Sequence, residues 1–455
     1  MQKILISSTR KSSGKTIISI GLSGLATKLG YTVQTFKKGP DFIDPSWLKF
    51  ASKRPCYNLD FNTMSDNEIK KMYKNKSINS DIGIIEGTKG LYDGVDTDGS
   101  DSNAQLAKLL KTEAILVIDC KGITRGIAPL LLGYKNFDKD INMKRLILNN
   151  VSTSRHESKL IASVCKYTDF KVIGSFPHLE AIVDERHLGL VPSFQEKNKN
   201  SILAKIISAT KENVDYKALY INKKNNKATK KVSTKIKSKV NKLTIGVALD
   251  SSFGFYYQDD LDKIKDYGYQ IKIVNLIKDK KLPNIHGLII GGGFPEMQAS
   301  ELEKNISMKK SIKTSIENNL PVYAECGGLM YLSNKLKFNK ITTKMCNVFD
   351  INIDMNIKPI GRGYTIVEAR PNHPWGIRGE NIHAHEFHYS SVQKNNKKYK
   401  YALNVKRGYG INGKKDGLLY KNVLASFTHL RSTESFNWVK HFLNFVERRN
   451  DKTNI

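Results

Sequence analysis

Short apolar runs alternate with stretches of helical periodicity along the first part of the chain. Strands are predicted over 3–7, 32–37, 82–86, 115–119, 146–149 and 172–175, and helices over 17–29 and 104–110. Strand and helix in alternation imply a mostly parallel sheet covered on both faces, so residues 1–195 read as one doubly wound α/β domain. The pattern then breaks: KKNNKATKKVSTKIKSKVNK, from Lys223 to Lys242, has too few apolar residues to bury and reads as a solvated linker. It sits within a connecting segment, 196–242, whose apolar pattern at 202–207 is expected to pack on the first domain. Periodicity resumes with strands over 243–249, 270–274, 287–290 and 322–324 and helices over 261–267 and 306–318. From Gly363 onward, strands over 364–368, 383–391 and 423–427 precede a closing helix over 436–448. Residues 243–449 therefore form a second α/β domain with a β-rich half, and 450–455 a tail.

Length changes this picture little, since 455 residues suffice for two such domains with proper cores. The five cysteines (Cys56, Cys120, Cys165, Cys326, Cys346) are scattered without a CxxC pair, which is reduced, intracellular usage. No run approaches the roughly 20 apolar residues of a membrane span, and the N-terminus MQKILISSTRKSSGKT has no signal-peptide core. The cytoplasm is the expected compartment. A formal charge of +31 raises nucleic acid as a partner, but the lysines are spread over the whole chain among abundant Asn and Ile, and no nucleic-acid reading motif accompanies them. No nucleic-acid or membrane partner is expected; a polyanionic small substrate suits the sign of the field equally well.

The first candidate chemistry lies between the first strand and the first helix, in Ser8-Thr9-Arg10-Lys11-Ser12-Ser13-Gly14-Lys15-Thr16. In that setting backbone N–H groups and the helix N-terminus cradle phosphate oxygens, Lys15 reaches the outer phosphates and the Thr16 hydroxyl can hold Mg²⁺. Ser13, Gly14, Lys15 and Thr16 are thus candidate nucleotide-binding residues, although Ser8 or Thr9 stands where such loops usually begin with glycine. Magnesium needs carboxylates at later strand ends. Glu86 ends a strand in IIEGTKGLYDG, Asp93 follows in its loop, and Asp41 and Asp44 stand in KKGPDFIDP past another strand. Asn149 ends a later strand on the same edge, placed either to hydrogen-bond an adenine or to shape a turn.

The second candidate chemistry is Cys326 in PVYAECGGLMYL. A cysteine on a sharp glycine-permitted turn between strand and helix holds its sulfur against backbone N–H groups, which is how a nucleophilic thiolate is built. A free thiol needs a base, and His429, just past the last strand of the same domain, is the candidate. Gly292 and Gly293 in GGGFP, with the Gly327 amide, are candidate oxyanion-hole donors. His383, His385 and His388 suggest a metal site, but on a strand the third points away from the first two, which argues against one.

Along nearly its entire length the chain resembles the cobyrinic acid a,c-diamide synthase family, the glutamine-dependent amidases of corrin and related tetrapyrrole carboxylates. The strings that carry the resemblance are SSGKT, FKKGPDFIDP, RPCYNLD, IIEGTKGLYDG, ERHLGLVP, GGGFPE, AECGGLMYL, GRGYT and HEFHYS. It implies an N-terminal P-loop ATP-binding amidoligase domain like that of dethiobiotin synthetase and a C-terminal class I glutaminase-like domain. ATP and Mg²⁺ are the implied cofactors, and glutamine and a tetrapyrrole polycarboxylate the implied substrates; a homodimer is left open. The resemblance assigns Cys326 as the nucleophile that takes ammonia from glutamine, with His429 raising its nucleophilicity. It places Asp41, Asp44, Glu86 and Asp93 around magnesium, phosphates and the reacting carboxylate, with Thr16, Glu86 and Asp41 as the metal-holding set. It implies amidation of the a and c acetate groups of cobyrinic acid through acyl phosphates, with sirohaem and nickel sirohydrochlorin as the competing macrocycles. Two positions depart from the family pattern: Arg431 where HLH is common, and Phe42 where tyrosine is common. Related glutaminases carry a Glu two residues after the histidine, a position held here by Arg431, so a Cys–His dyad is expected.

Overall fold

A computed structural model describes residues 1–177, 185–186, 189–220, 243–393 and 398–451. The Lys- and Asn-rich stretch 223–242, His187 and Leu188 of ERHLGLVP, and 452–455 of the expected tail lie outside the described residues. The chain divides into two compact units, Met1–Ser233 and Thr234–Ile455.

The first unit is built on a seven-stranded sheet, all of it parallel. In spatial order the strands are Tyr57–Leu59, Val33–Lys38, Ile82–Glu86, Gln2–Ser8, Glu113–Asp119, Arg145–Asn149 and Lys171–Ser175. Every residue of Ile82–Glu86 and Val33–Lys38 is buried, because helices cover both faces and such strands need apolar side chains in both directions. The helix Lys15–Lys28 runs nearly without exposed residues. Its Gly21 and Gly24 let the helix Lys199–Asn213 approach closely: a Cβ on Gly21 would stand 2.0 Å from Thr210 Oγ1, and one on Gly24 2.8 Å from Ile207. The first unit thus carries on through Leu219, whereas the sequence suggested that a connecting segment starts at 196. The pattern at 202–207 packs as expected on the first unit.

The second unit centres on a nine-stranded mixed sheet. Gln270–Val274, Thr244–Ala248, Gly287–Ile290, Val322–Glu325 and Val423–Ser426 are parallel neighbours; Lys415–Tyr420, Lys400–Arg407, Gly361–Ala369 and Asn381–His388 continue the sheet antiparallel. This matches the expected α/β domain with a β-rich half. A small four-stranded sheet, Ile341–Lys344, Lys335–Phe338, Asn352–Met355 and Ser390–Gln393, was not anticipated, each of its strands having only four residues. Among the described residues no helix is long and apolar enough to cross a membrane.

Candidate functional site

Each unit gathers its candidate residues at the carboxyl ends of its parallel strands, where open α/β sheets bind ligands. In the first unit the turn after Gln2–Ser8 leads into the helix Lys15–Lys28 through Gly14, whose φ of 88° belongs to the left-handed region. The Lys15 ammonium donates to Ser8 Oγ at 2.9 Å, so the serine that ends the first strand anchors the lysine. Asn149 lies under this loop: its side-chain amide donates to the Ser13 carbonyl at 3.0 Å, while Oδ1 is buried with no hydrogen-bond partner among the described residues. A Cβ on Gly14 would sit 2.3 Å from Asn149 Nδ2. Gly14→Ala is therefore expected to displace the loop and lose ATP binding, read by calorimetry, while glutamine hydrolysis in the second unit continues.

Strand register assembles the acidic cluster. Glu86 is paired with Ile6 on one side and with Lys37 on the other. Lys37 Nζ donates to Asp44 Oδ2 at 2.6 Å and to Glu86 Oε1 at 2.9 Å, and lies 3.7 Å from Asp41 Oδ2. The Thr16 hydroxyl donates to Glu86 Oε1 at 2.5 Å and reaches Asp44 Oδ2 at 3.3 Å. Burial works against the Lys37 charge, but Asp44, Glu86 and Asp41 outweigh it and hold its pKa well above the ordinary value. Burial, then the charge of Asp44, pushes Glu86 up to about 8 and Asp41 up to about 7. Burial brings Lys15 down to about 8 against the pull of Glu86.

Asp41 Oδ1 caps the helix Ile43–Ser52, accepting from the Ile43 and Asp44 amides at 2.8 and 3.1 Å, and it is Asp44 that meets Thr16. Asp93 accepts from the Gly90 amide at 2.9 Å and acts on Lys15 through its charge. Sequence reasoning missed Lys37. A lysine ending a fully buried strand just before a run of acidic residues was the available signal.

The donors suit magnesium. Thr16 Oγ1, Glu86 and Asp44 offer hard oxygens within one cluster, and Glu86 Oε2 is fully buried without a hydrogen-bond partner among the described residues, an acceptor that calls for a cation or donor.

In the second unit Cys326 ends the strand Val322–Glu325 and begins the helix Gly327–Leu332 with φ 45° and ψ −99°, a strained conformation for a residue with a side chain. Gly328 makes the turn possible, since a Cβ there would lie 2.2 Å from the Ile290 carbonyl oxygen. The Cys326 amide donates to Ser426 at 2.7 Å, fixing the turn to the neighbouring strand. The thiol lies 3.9 Å from the Phe387 carbonyl oxygen and is hydrogen-bonded to the His429 imidazole.

The oxyanion candidates converge on the same place. A Cβ on Gly292 would stand 2.6 Å from His429 Cε1, and one on Gly327 3.1 Å from the Gly293 nitrogen. The backbones of the two glycine segments thus abut beside the thiol and the imidazole.

The expectation of a bare dyad is corrected by Glu325, the residue just before the cysteine. His429 Nδ1 lies 3.3 Å from Glu325 Oε2, and Glu325 Oε1 accepts from the Leu430 amide at 2.9 Å and from the Tyr323 hydroxyl. The carboxylate missing after the histidine is supplied from the neighbouring strand, because Glu325 pairs with Ser426 in register. Arg431 takes another role, buried against Asp259 at 3.3 Å. Burial opposes the charged form of His429, yet its hydrogen bonds to Cys326 and Glu325, and their charges, raise it to about 10. A carboxyl at the end of the apolar run LPVYAE was the overlooked signal. Among the described residues no group of three or more His, Cys, Asp and Glu side chains could hold a metal ion, and the three histidines of the HAHEFH strand are divided between an exposed His383 and buried His385 and His388.

Comparison with known proteins agrees with this division. Residues 4–191 match the family model described as the CobQ/CobB/MinD/ParA nucleotide binding domain, and residues 244–436 that of the CobB/CobQ-like glutamine amidotransferase domain. A Magnetococcus marinus protein named cobyrinate a,c-diamide synthase is 36% identical over 98% of this chain and 97% of its own length. Proteins of the same name from Archaeoglobus fulgidus and Methanobrevibacter smithii are each 35% identical, covering 97% and 94% of this chain and 96% and 95% of their own. A nucleotide-binding unit and a glutamine amidotransferase unit in one chain make a glutamine-dependent amidating ligase. The chain belongs to the cobyrinate a,c-diamide synthase family.

Proposed function

We propose that the enzyme converts the a and c acetate carboxylates of cobyrinic acid to amides, using ATP and taking nitrogen from glutamine. Support for the substrate comes from the names of relatives that align over nearly the full chain. The observation that carries the chemistry is Cys326 on its strained turn, hydrogen-bonded to an imidazole that Glu325 holds from the other side.

In the second unit the Cys326 sulfur attacks the glutamine side-chain carbonyl, and the oxyanion that forms is met by amides of Gly292, Gly293 and Gly327. His429, kept charged by its neighbours, returns a proton to the departing ammonia, and water then releases glutamate. In the first unit Ser13, Gly14 and Lys15 bind the phosphates of ATP, and Asn149 supports their loop. Thr16, Glu86 and Asp44 would hold Mg²⁺. When bound, the ion neutralises phosphate charge and favours attack on the terminal phosphorus. A substrate carboxylate oxygen takes that phosphoryl group, giving an acyl phosphate and ADP. Asp41 and Asp93 border the site, and Lys37 offsets the negative charge that builds there. Ammonia attacks the acyl carbon and phosphate departs with the former carboxylate oxygen.

The test is incubation with ATP, Mg²⁺ and glutamine against cobyrinic acid, sirohaem and nickel sirohydrochlorin in separate reactions, followed by mass spectrometry. Two successive acid-to-amide conversions on cobyrinic acid are expected; turnover of either other ring in preference to cobyrinic acid would overturn the substrate assignment.

A further inference from the structure

The HAHEFH strand bears a histidine that the chemistry above does not use. We propose that His385 is a positioning residue for glutamine hydrolysis, fixing the ring of His429 by stacking on it under the control of Tyr257. The inference rests on reading Cys326 and His429 as the reacting pair.

His429 stands beyond the end of its strand, Val423–Ser426, where chain direction alone does not fix a side chain. Its backbone is tied to residue 385 by an antiparallel bridge, the His429 amide donating to the His385 carbonyl at 2.8 Å. The two imidazoles lie nearly parallel, with centroids 4.8 Å apart and planes inclined by 14°. His385 thus covers one face of the ring, Gly292 lies against Cε1 and Glu325 against Nδ1. The remaining ring nitrogen is left for Cys326.

His385 is itself held. Its Nδ1 lies 3.1 Å from the Tyr257 hydroxyl, and the Tyr257 ring is covered by the Arg431 guanidinium at 4.7 Å, in turn paired with Asp259. Burial, then the cations His429 and Arg431, push the His385 pKa far below the ordinary value, so a neutral ring faces the charged His429 without repulsion. This gives Arg431 a purpose as well, as the anchor of Tyr257.

A misaligned imidazole slows proton transfer without weakening substrate binding, so the effect belongs in kcat. His385→Ala is expected to lower kcat for glutamine hydrolysis about ten-fold or more while KM for glutamine and ammonia-supported amidation stay within about two-fold. His385→Phe, which restores a stacked neutral ring, is expected to recover most of that loss. Tyr257→Phe, which removes one hydroxyl, should lower kcat about three-fold and slow alkylation of Cys326 by iodoacetamide, and it decides the matter if the alanine variant does not fold. An unchanged kcat in Ala and Tyr257→Phe variants, a loss confined to KM, or a Phe variant as slow as Ala would each overturn the proposal. Cys326→Ala measured alongside separates the two levels: full glutamine hydrolysis in that variant would defeat the reading of the pair itself.

Discussion

Cys326→Ala is expected to abolish amidation supported by glutamine, by about a thousand-fold or more, while amidation supported by free ammonia stays within a few fold of the parent. The expectation follows from where the sulfur sits. It is the one group of the Cys326–His429–Glu325 cluster able to form a bond to the glutamine carbonyl, whereas the proposed ATP chemistry uses Lys15, Thr16 and Glu86 in the other compact unit. The substitution also removes the group whose hydrogen bond and charge most strongly favour the His429 imidazolium. The His429 pKa should then fall from about 10 toward its ordinary value, a change visible in an imidazole NMR titration. The sign has a consequence for stability. Because the folded pKa exceeds the unfolded value of 6.5, the contribution of charged His429 is complete below about pH 6.5 and is lost as pH rises through about 10. In the alanine variant that alkaline loss should shrink. Loss of ammonia-supported amidation in a folded Cys326→Ala protein would contradict the division of labour.

Lys37→Met should act on the other half of the reaction. Lys37 is buried and its ammonium is shared by Asp44 and Glu86 at hydrogen-bond distance, with Asp41 close by. Removing one partner of a buried ion cluster typically costs about 3–5 kcal/mol, because the charges left behind have neither water nor a counter-ion. Glu86 and Asp41, already raised by burial, would lose the ammonium that lowers them and shift further toward the protonated form, in which Glu86 is a poor partner for a cation. Amidation is therefore expected to fall about a hundred-fold or more with either nitrogen source, while glutamine hydrolysis persists. Comparing melting temperatures in the presence and absence of MgATP checks the cause: the parent should gain stability from the nucleotide and the variant should not. Equal loss of glutamine hydrolysis in a folded Lys37→Met protein would place Lys37 elsewhere in the reaction.

Much of the fold was legible because its central strands are apolar on both faces. The strand Ile82–Glu86 has the bounds its sequence suggested, five others of the first sheet differ by a residue or two at their ends, and the three-residue edge strand Tyr57–Leu59 was missed. Helices such as Asp66–Lys76 escaped notice because NEIKKMYKNK buries few residues and its apolar period is diluted by lysine and asparagine. The short strands near residue 340 were hidden for a related reason, having four residues each and exposed lysines.

At the two sites, residues within recognisable strings were found and their partners from other strands were not. Lys37 meets Glu86 only because the strands Val33–Lys38 and Ile82–Glu86 align them in register. Glu325 reaches His429 across more than a hundred residues through its pairing with Ser426. Neither contact leaves a spacing in the sequence. What the sequence did contain was a charged residue near the end of a strand whose position in the sheet buries it, an arrangement whose burial cost implies a partner.

On the proposed mechanism one unit activates an acid as its acyl phosphate and the other supplies the nitrogen that displaces phosphate. The most direct test is a single turnover with heavy oxygen in the substrate carboxylates and heavy nitrogen in the glutamine side-chain amide, followed by mass spectrometry of the ring and of the released phosphate. The account predicts heavy nitrogen in every new amide and one heavy oxygen in phosphate for each amide formed. Phosphate carrying no substrate oxygen would contradict it.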